Sequence, residues 1–114
     1  MKNVRITVIK NMYNPELAEK YQARNKCACT VNREGMVFIS NGWQRPKGLC
    51  ESAWKCMEDY CMALSLGGGN FYNGWLGIEN IAVVSCNDGI KPVVFLLERT
   101  EEDAENWTAG DDEK

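Results

Sequence analysis

The chain has no histidine among its 114 residues. It therefore lacks the side chain that most often acts as a general base near neutral pH, and any histidine-containing metal site is excluded within it. None of its six cysteines form a C-x-x-C pair, which argues against zinc-ribbon and ferredoxin-type sites. No apolar run approaches the roughly 20 residues needed to span a bilayer, and the N-terminal segment lacks the apolar centre of a signal peptide. We therefore expect a cytosolic protein whose cysteines are reduced thiols.

Charge is distributed unevenly along the sequence. Residues 100–114 contain seven acids and one base, whereas residues 1–99 contain twelve bases and nine acids. We predict a single domain over residues 1–99, long enough to bury one core, followed by an acidic tail over residues 100–114. The tail is expected to be disordered because it cannot bury enough apolar surface. The mild positive excess of the domain, without a basic stripe, argues against nucleic acid as a partner.

The segment over residues 49–66 has the clearest periodicity. At about 100° per residue, its apolar residues fall on one face and its charged residues on the other. The apolar face consists of Cys50, Ala53, Trp54, Met57, Tyr60, Cys61 and Leu64. Three consecutive glycines, residues 67–69, end the pattern because glycine disfavours helix. The sequence therefore predicts one long amphipathic helix that forms a large part of the core.

The rest of the chain is typical of short strands separated by turns. Asn14 and Pro15 predict the start of a short helix, and turns are expected over residues 32–35 and 87–89. Strands are predicted over residues 4–8, 27–31, 36–40, 81–86 and 92–97, the last covered on both faces because it lacks alternation. This order predicts an α+β fold with a mainly antiparallel sheet packed on the long helix, and a half-closed barrel is the alternative.

Three segments together resemble a family of short proteins found in anaerobic bacteria and archaea. They are GLCESAW at residues 48–54, SLGGGNFY at residues 65–72 and CNDGIKPVVFLLER at residues 86–99. The family pattern combines G-x-C-x-x-A-W, a glycine-rich loop and C-x-D-G-x-x-P-V-x-F, and the likeness covers residues 3–99. No activity is assigned to the family, so the resemblance picks out Cys50 and Cys86 as residues of its motifs but implies no reaction. An upstream cysteine of the pattern is matched by Cys27 or Cys29.

Helix geometry limits how the cysteines could act together. Cys50 and Cys61 would lie roughly 16 Å apart along the helix axis, and Cys56 would point to another face. These three thiols therefore cannot share one metal ion, whose sulfur ligands lie at about 2.3 Å.

A metal site could still be assembled from separate segments. Cys27 and Cys29 would project from the same strand face, Cys50 would lie at a helix N-terminus that favours the thiolate, and Cys86 would end a strand. These four residues are the predicted ligands of a thiolate-bound metal, and Cys50 with Cys86 could instead form a redox pair. The alternative is that the cysteines are ordinary core residues.

The unusual residues fall at the ends of predicted elements, where binding sites are often built. The leading prediction is a small domain that binds a small ligand or a metal in a cleft with cysteine thiols. Its predicted ligand-binding residues are Cys50, Trp54, Phe71, Tyr72, Trp75 and Asp88. Two alternatives stay open: a non-catalytic interaction module that forms a homodimer, and a thiol-redox protein. No catalytic residue is assigned.

Overall fold

The computed structural model describes residues 1–105, which form one antiparallel sheet and two helices. The elements in order are β1 (Lys2–Asn11), α1 (Pro15–Tyr21), β2 (Val37–Ser40), α2 (Glu51–Ser65), β3 (Ile81–Ser85) and β4 (Val93–Asp103). The strand order is β2-β1-β4-β3, with every neighbouring pair antiparallel. The predicted α+β class is confirmed. The alternative of a half-closed barrel is not confirmed, because the sheet stays open with β2 and β3 as its edges.

The core lies between α2 and one face of the sheet. Its largest buried side chains include Ile6 from β1, Met57 and Leu64 from α2, and Phe95 and Leu97 from β4. Each such side chain stabilises the fold by about 1.5–3 kcal/mol through burial. The predicted apolar helix face is therefore confirmed. Neither helix in residues 1–105 is long and apolar enough to cross a membrane.

The segment before β2 differs from the predicted hairpin. Residues 27–31 form no strand, and β2 pairs with β1 instead. The reason is Asn32, which is buried and hydrogen-bonded in three directions. Its Oδ1 accepts the N–H of Cys50 at 3.1 Å, its Nδ2 donates to the carbonyl of Gly48 at 3.2 Å, and its own carbonyl accepts Nδ2 of Asn11 at 2.7 Å. Two of these bonds tie Asn32 to the start of α2, and the third ties it to the end of β1.

The sheet face opposite α2 is not covered by another element among the described residues. The prediction that residues 92–97 are covered on both faces is wrong, because buried and half-buried residues alternate along β4. We call this second side the outer face. Two rows of paired residues cross it: Ile39, Arg5, Glu98 and Ile81, and then Val37, Thr7, Leu96 and Val83.

Strand β4 continues beyond the predicted domain boundary at residue 99. It pairs with β1 as far as the Lys2 and Asp103 positions, where Lys2 Nζ lies 2.6 Å from Asp103 Oδ1. Residues 100–103, predicted as the start of the tail, are therefore strand residues. The remainder of the predicted disorder, over residues 106–114, lies outside the described part of the chain.

Candidate ligand-binding pocket

The glycine-rich segment after α2 forms a loop whose two ends are fastened together. The N–H of Asn80 donates to the carbonyl of Gly69 at 2.9 Å. From β4, Arg99 donates to the carbonyl of Gly68 at 2.7 Å and to Asn80 Oδ1 at 2.7 Å. Arg99 also donates to the carbonyl of Leu64 at 3.0 Å, in the last turn of α2. The loop is therefore held on the sheet by a single guanidinium with several acceptors.

Within this loop, Tyr72 has an unusual backbone conformation. Its φ is +54°, in the left-handed region that bulky residues rarely adopt. Asn70 supports the turn around it, since its side-chain oxygen accepts the N–H of Gly74 at 2.8 Å. A left-handed conformation costs a non-glycine residue about 1–2 kcal/mol. Such outliers concentrate at functional sites, and here the strained residue turns its ring toward α2.

The rings of Tyr72 and Phe71 meet Tyr60 of α2. The hydroxyl groups of Tyr60 and Tyr72 are hydrogen-bonded at 2.6 Å. The Tyr60 and Phe71 rings pack edge to face, with centroids 5.1 Å apart and planes at 75°, an arrangement favoured by aromatic quadrupoles. The hydrogen bond to Tyr72 and, to a smaller extent, partial burial raise the pKa of Tyr60 above its ordinary value. The phenol therefore stays protonated near neutral pH.

These rings line a small cavity that we call the aromatic pocket. Its narrower part has a volume of about 80 Å³, is half open to solvent, and is lined by Tyr60, Phe71, Tyr72, Trp75, Leu76, Ala82 and Val83. A wider open part of about 310 Å³ lies between Tyr72 and Trp75. The side chains of Tyr72 and Trp75 are 74% and 79% exposed. The arrangement offers an apolar, aromatic surface to a ligand, with the Tyr60 and Tyr72 hydroxyls and the Trp75 indole N–H as its side-chain polar groups.

The predicted ligand-binding residues are only partly brought together. Phe71, Tyr72 and Trp75 line the aromatic pocket. Trp54 lies in the core. Asp88 instead organises the turn between β3 and β4, because its Oδ1 accepts the N–H groups of Ile90 at 2.8 Å and Lys91 at 2.9 Å. Both bonds lower the pKa of the Asp88 carboxyl, and the bond from Lys91 has the larger effect.

The cysteines do not form a metal centre in the described part of the chain. Within residues 1–105, no three Cys, Asp or Glu side chains are placed to share a metal ion. Cys29, Cys50 and Cys86 pack separately against the hydrophobic core, and Cys27 is exposed. The Cys86 sulfur accepts the N–H of Val93 at 3.3 Å, within the β3–β4 hairpin. All six cysteines are free thiols, and none of them lines the aromatic pocket.

Sequence reasoning missed several residues that build this region. Tyr60 was predicted on the apolar helix face, but its hydroxyl contact with Tyr72 depends on the path of the loop. Arg99 and Asn80 gave no local signal because their bonds join positions 19 residues apart. The available clue was the concentration of aromatic residues directly after the three glycines.

A second depression lies away from the predicted site. It has a volume of about 290 Å³ and a mainly polar lining formed by Asn3, Ile39, Asn41, Gln44, Arg45, Pro46 and Glu105. Arg45 donates from its guanidinium to the carbonyl of Leu49 at 2.6 Å. None of the predicted ligand-binding residues lines this depression.

The fold and the pocket define a small α+β domain with an aromatic pocket at one end of its sheet. No family model, no curated protein and no solved structure matches this chain. The resemblance to the short anaerobe proteins therefore stays a prediction based on its three segments.

Proposed function

We propose that the domain binds a small molecule, or a small chemical group of a larger one, in the aromatic pocket. The observation that carries the proposal is the convergence of four aromatic residues, Tyr60, Phe71, Tyr72 and Trp75, on one cavity. Pockets of this kind, apolar with few polar groups, are typical of ligand sites. In the folded protein, the exposed faces of Tyr72 and Trp75 would gain contacts only when the pocket is occupied.

The strain at Tyr72 supports the same proposal. A glycine or asparagine would adopt its left-handed backbone at lower cost, so backbone preference does not explain a tyrosine there. A binding role does, because the ring forms a wall of the pocket and its hydroxyl fixes that wall to Tyr60. The proposal does not extend to a thiolate-bound metal, since the thiols and the pocket are separate.

Nuclear magnetic resonance with a fragment library tests the proposal. We expect aromatic or apolar fragments to shift the Trp75 indole N–H signal, which a Trp75→Phe variant identifies. A Tyr72→Ala variant, which keeps the Trp75 signal, should lose these shifts. Ile78→Ala is the matched control, because Ile78 is 66% exposed on the same loop and does not line the pocket. A library without a single hit at Trp75 would remove the proposal.

The outer face favours a second candidate function, self-association as a homodimer. Its exposed apolar residues include Val37, Ile39 and Val83, which are 53%, 47% and 45% exposed. Arg5 and Glu98 lie between the two edges of the face, with their charged atoms 3.4 Å apart. A two-fold axis through this pair would place each charge near its opposite in the other copy, so the surface is self-complementary in charge.

The size of this face sets the expected strength of such a dimer. Four strands at about 4.8 Å spacing and two or three outward residues per strand cover at most about 400 Å² per copy. Two copies would bury at most about 800 Å², below the roughly 1,200 Å² of stable interfaces. We therefore expect a weak dimer that forms at high protein concentration.

Sedimentation velocity over a concentration series tests the dimer. We expect Ile39→Lys to shift the equilibrium toward monomer, because it places a second positive charge beside Arg5. Leu66→Lys is the control, since Leu66 is also exposed but follows α2, away from this face. A wild-type protein that stays monomeric at millimolar concentration would exclude the candidate.

A further inference from the structure

The chemistry of the aromatic pocket narrows the class of ligand. Among its seven lining residues there is no lysine, arginine, carboxylate or amide side chain. An anion would find no cationic partner, and a primary ammonium would lose its hydration without a carboxylate to replace it. A sugar would bring more hydroxyls than the Tyr60 and Tyr72 hydroxyls and the Trp75 indole N–H could satisfy. The suitable ligand group is compact and carries no hydrogen-bond donors.

We infer that the aromatic pocket recognises a quaternary ammonium group, and specifically a trimethylammonium group. This inference rests on the proposed ligand-binding function and names its ligand class. Such a cation has no N–H donors to satisfy, is weakly hydrated, and is attracted by the negative faces of aromatic rings. Aromatic cages are the established solution for binding this chemistry.

The dimensions of the pocket agree with this group. The narrower part, about 80 Å³, is less than three times the roughly 30 Å³ share of a liquid water molecule. It therefore suits a head group of a few heavy atoms. The Tyr60 and Phe71 rings, whose planes meet at 75°, provide two walls at nearly right angles. The rest of a ligand would leave through the open part between Tyr72 and Trp75.

No basic residue lines the pocket to repel a cation. Residues 66–85, which form the loop and β3, contain one acid, Glu79, and no lysine or arginine. A positive ligand therefore meets aromatic faces, and Arg99, which bonds the ends of the loop at Gly68 and Asn80, does not line the pocket. An uncharged apolar ligand would gain nothing from this distribution.

The test compares choline chloride with 3,3-dimethylbutan-1-ol, which has the same shape with carbon in place of nitrogen. Both are titrated into the labelled protein at constant ionic strength while the Trp75 indole signal is followed. We expect choline to bind with a Kd of about 1 mM and the neutral alcohol to bind about tenfold more weakly. Tyr72→Leu should remove this preference by replacing a ring with an apolar side chain, whereas Ile78→Ala should retain it.

Three other results would each count against the inference. Equal affinity for the two probes would mean that the pocket recognises shape and not charge. Choline binding unchanged by Tyr72→Leu, in a variant whose spectrum shows intact folding, would place the cation elsewhere. No response to choline, together with fragment hits at Trp75, would overturn the cation while leaving the proposed ligand-binding function intact. If choline binds and Nε-trimethyllysine does not, the trimethylammonium group that the pocket recognises belongs to a free small molecule.

Discussion

Arg99 and Asn80 are joined twice, once through their side chains at 2.7 Å and once from the Arg99 N–H to the Asn80 carbonyl at 3.4 Å. The same guanidinium reaches the carbonyls of Leu64 and Gly68. One side chain therefore connects the sheet, the end of α2 and both ends of the loop. The pocket depends on this connection because three of its four aromatic residues belong to the loop.

Arg99→Lys should loosen the loop without unfolding the domain. A lysine ammonium cannot reproduce the planar fork that reaches three acceptors, so we expect a loss of about 1–3 kcal/mol. Hydrogen exchange should become faster over residues 69–80 while β1 stays protected. Arg5→Lys, at an exposed ion pair, is the control and should change little. Unchanged exchange in the loop would contradict the role given to Arg99.

Gly69→Ala should destabilise the protein through a close backbone contact. A Cβ at Gly69 would lie 2.8 Å from Cα and 2.9 Å from the backbone nitrogen of Asn80. The two sides of the loop would have to separate, at an expected cost of about 1–3 kcal/mol by chemical denaturation. Gly77→Ala in the same loop is the matched control, because a Cβ there meets nothing within 4 Å. Equal stabilities for the two variants would argue against the observed loop closure.

Asn32→Ala should weaken the start of α2. The substitution leaves the buried N–H of Cys50 without its acceptor and the Gly48 carbonyl without its donor. Unsatisfied buried groups cost about 1–3 kcal/mol, which urea denaturation would measure. Asn87→Ala, at an exposed turn position, should be nearly neutral by comparison.

Cys61 should be the least reactive of the six thiols. It is buried in the core, and burial raises the pKa of its thiol to about 12, so its thiolate is scarce near neutral pH. In the native protein at pH 8, iodoacetamide should modify the exposed Cys27 first and leave Cys61 intact until urea is added. Peptide mass spectrometry reads out the order. Modification of native Cys61 as fast as Cys27 would contradict its burial.

The Tyr60–Tyr72 hydrogen bond should stabilise the fold up to alkaline pH. Because the folded pKa of Tyr60 is raised, the folded state holds its phenolic proton more tightly than the unfolded chain. The contribution is therefore fully present below the unfolded pKa of about 10 and is lost as pH rises through the folded value. In denaturation experiments at pH 8 to 11, the wild type should be more stable than Tyr72→Phe. The difference in their free energies of unfolding should shrink as the pH rises. A difference independent of pH would rule out this bond as its source.

The sequence predicted the elements with strong local patterns. The helix expected over residues 49–66 is observed as Glu51–Ser65, and the turn with Asp88 joins β3 to β4 as expected. Residues 27–31 were misassigned because Asn32, a single buried polar residue, decides their path through contacts distant in sequence. Local periodicity contains no information about such contacts.

The candidate site, like the fold, could be predicted only where a local sequence pattern was present. Phe71, Tyr72 and Trp75 stand out in the sequence as a group of aromatics after a glycine run, and they meet in the structure. The proposed cysteine assembly depended entirely on distances between separate segments, and no such grouping forms in the described residues. A cysteine packed in a core and a cysteine that binds a metal are the same residue in the sequence, so composition could not distinguish the two roles.

The closure of the loop by Gly69, Asn80 and Arg99 has a consequence for engineering. The residues that fasten the loop lie at its ends or on β4, whereas the residues offered to a ligand lie between them. Positions 75 to 78 could therefore be randomised while the fastening and the Tyr60–Tyr72 hydrogen bond are kept. Such a library would change what the domain recognises and would leave its scaffold unaltered.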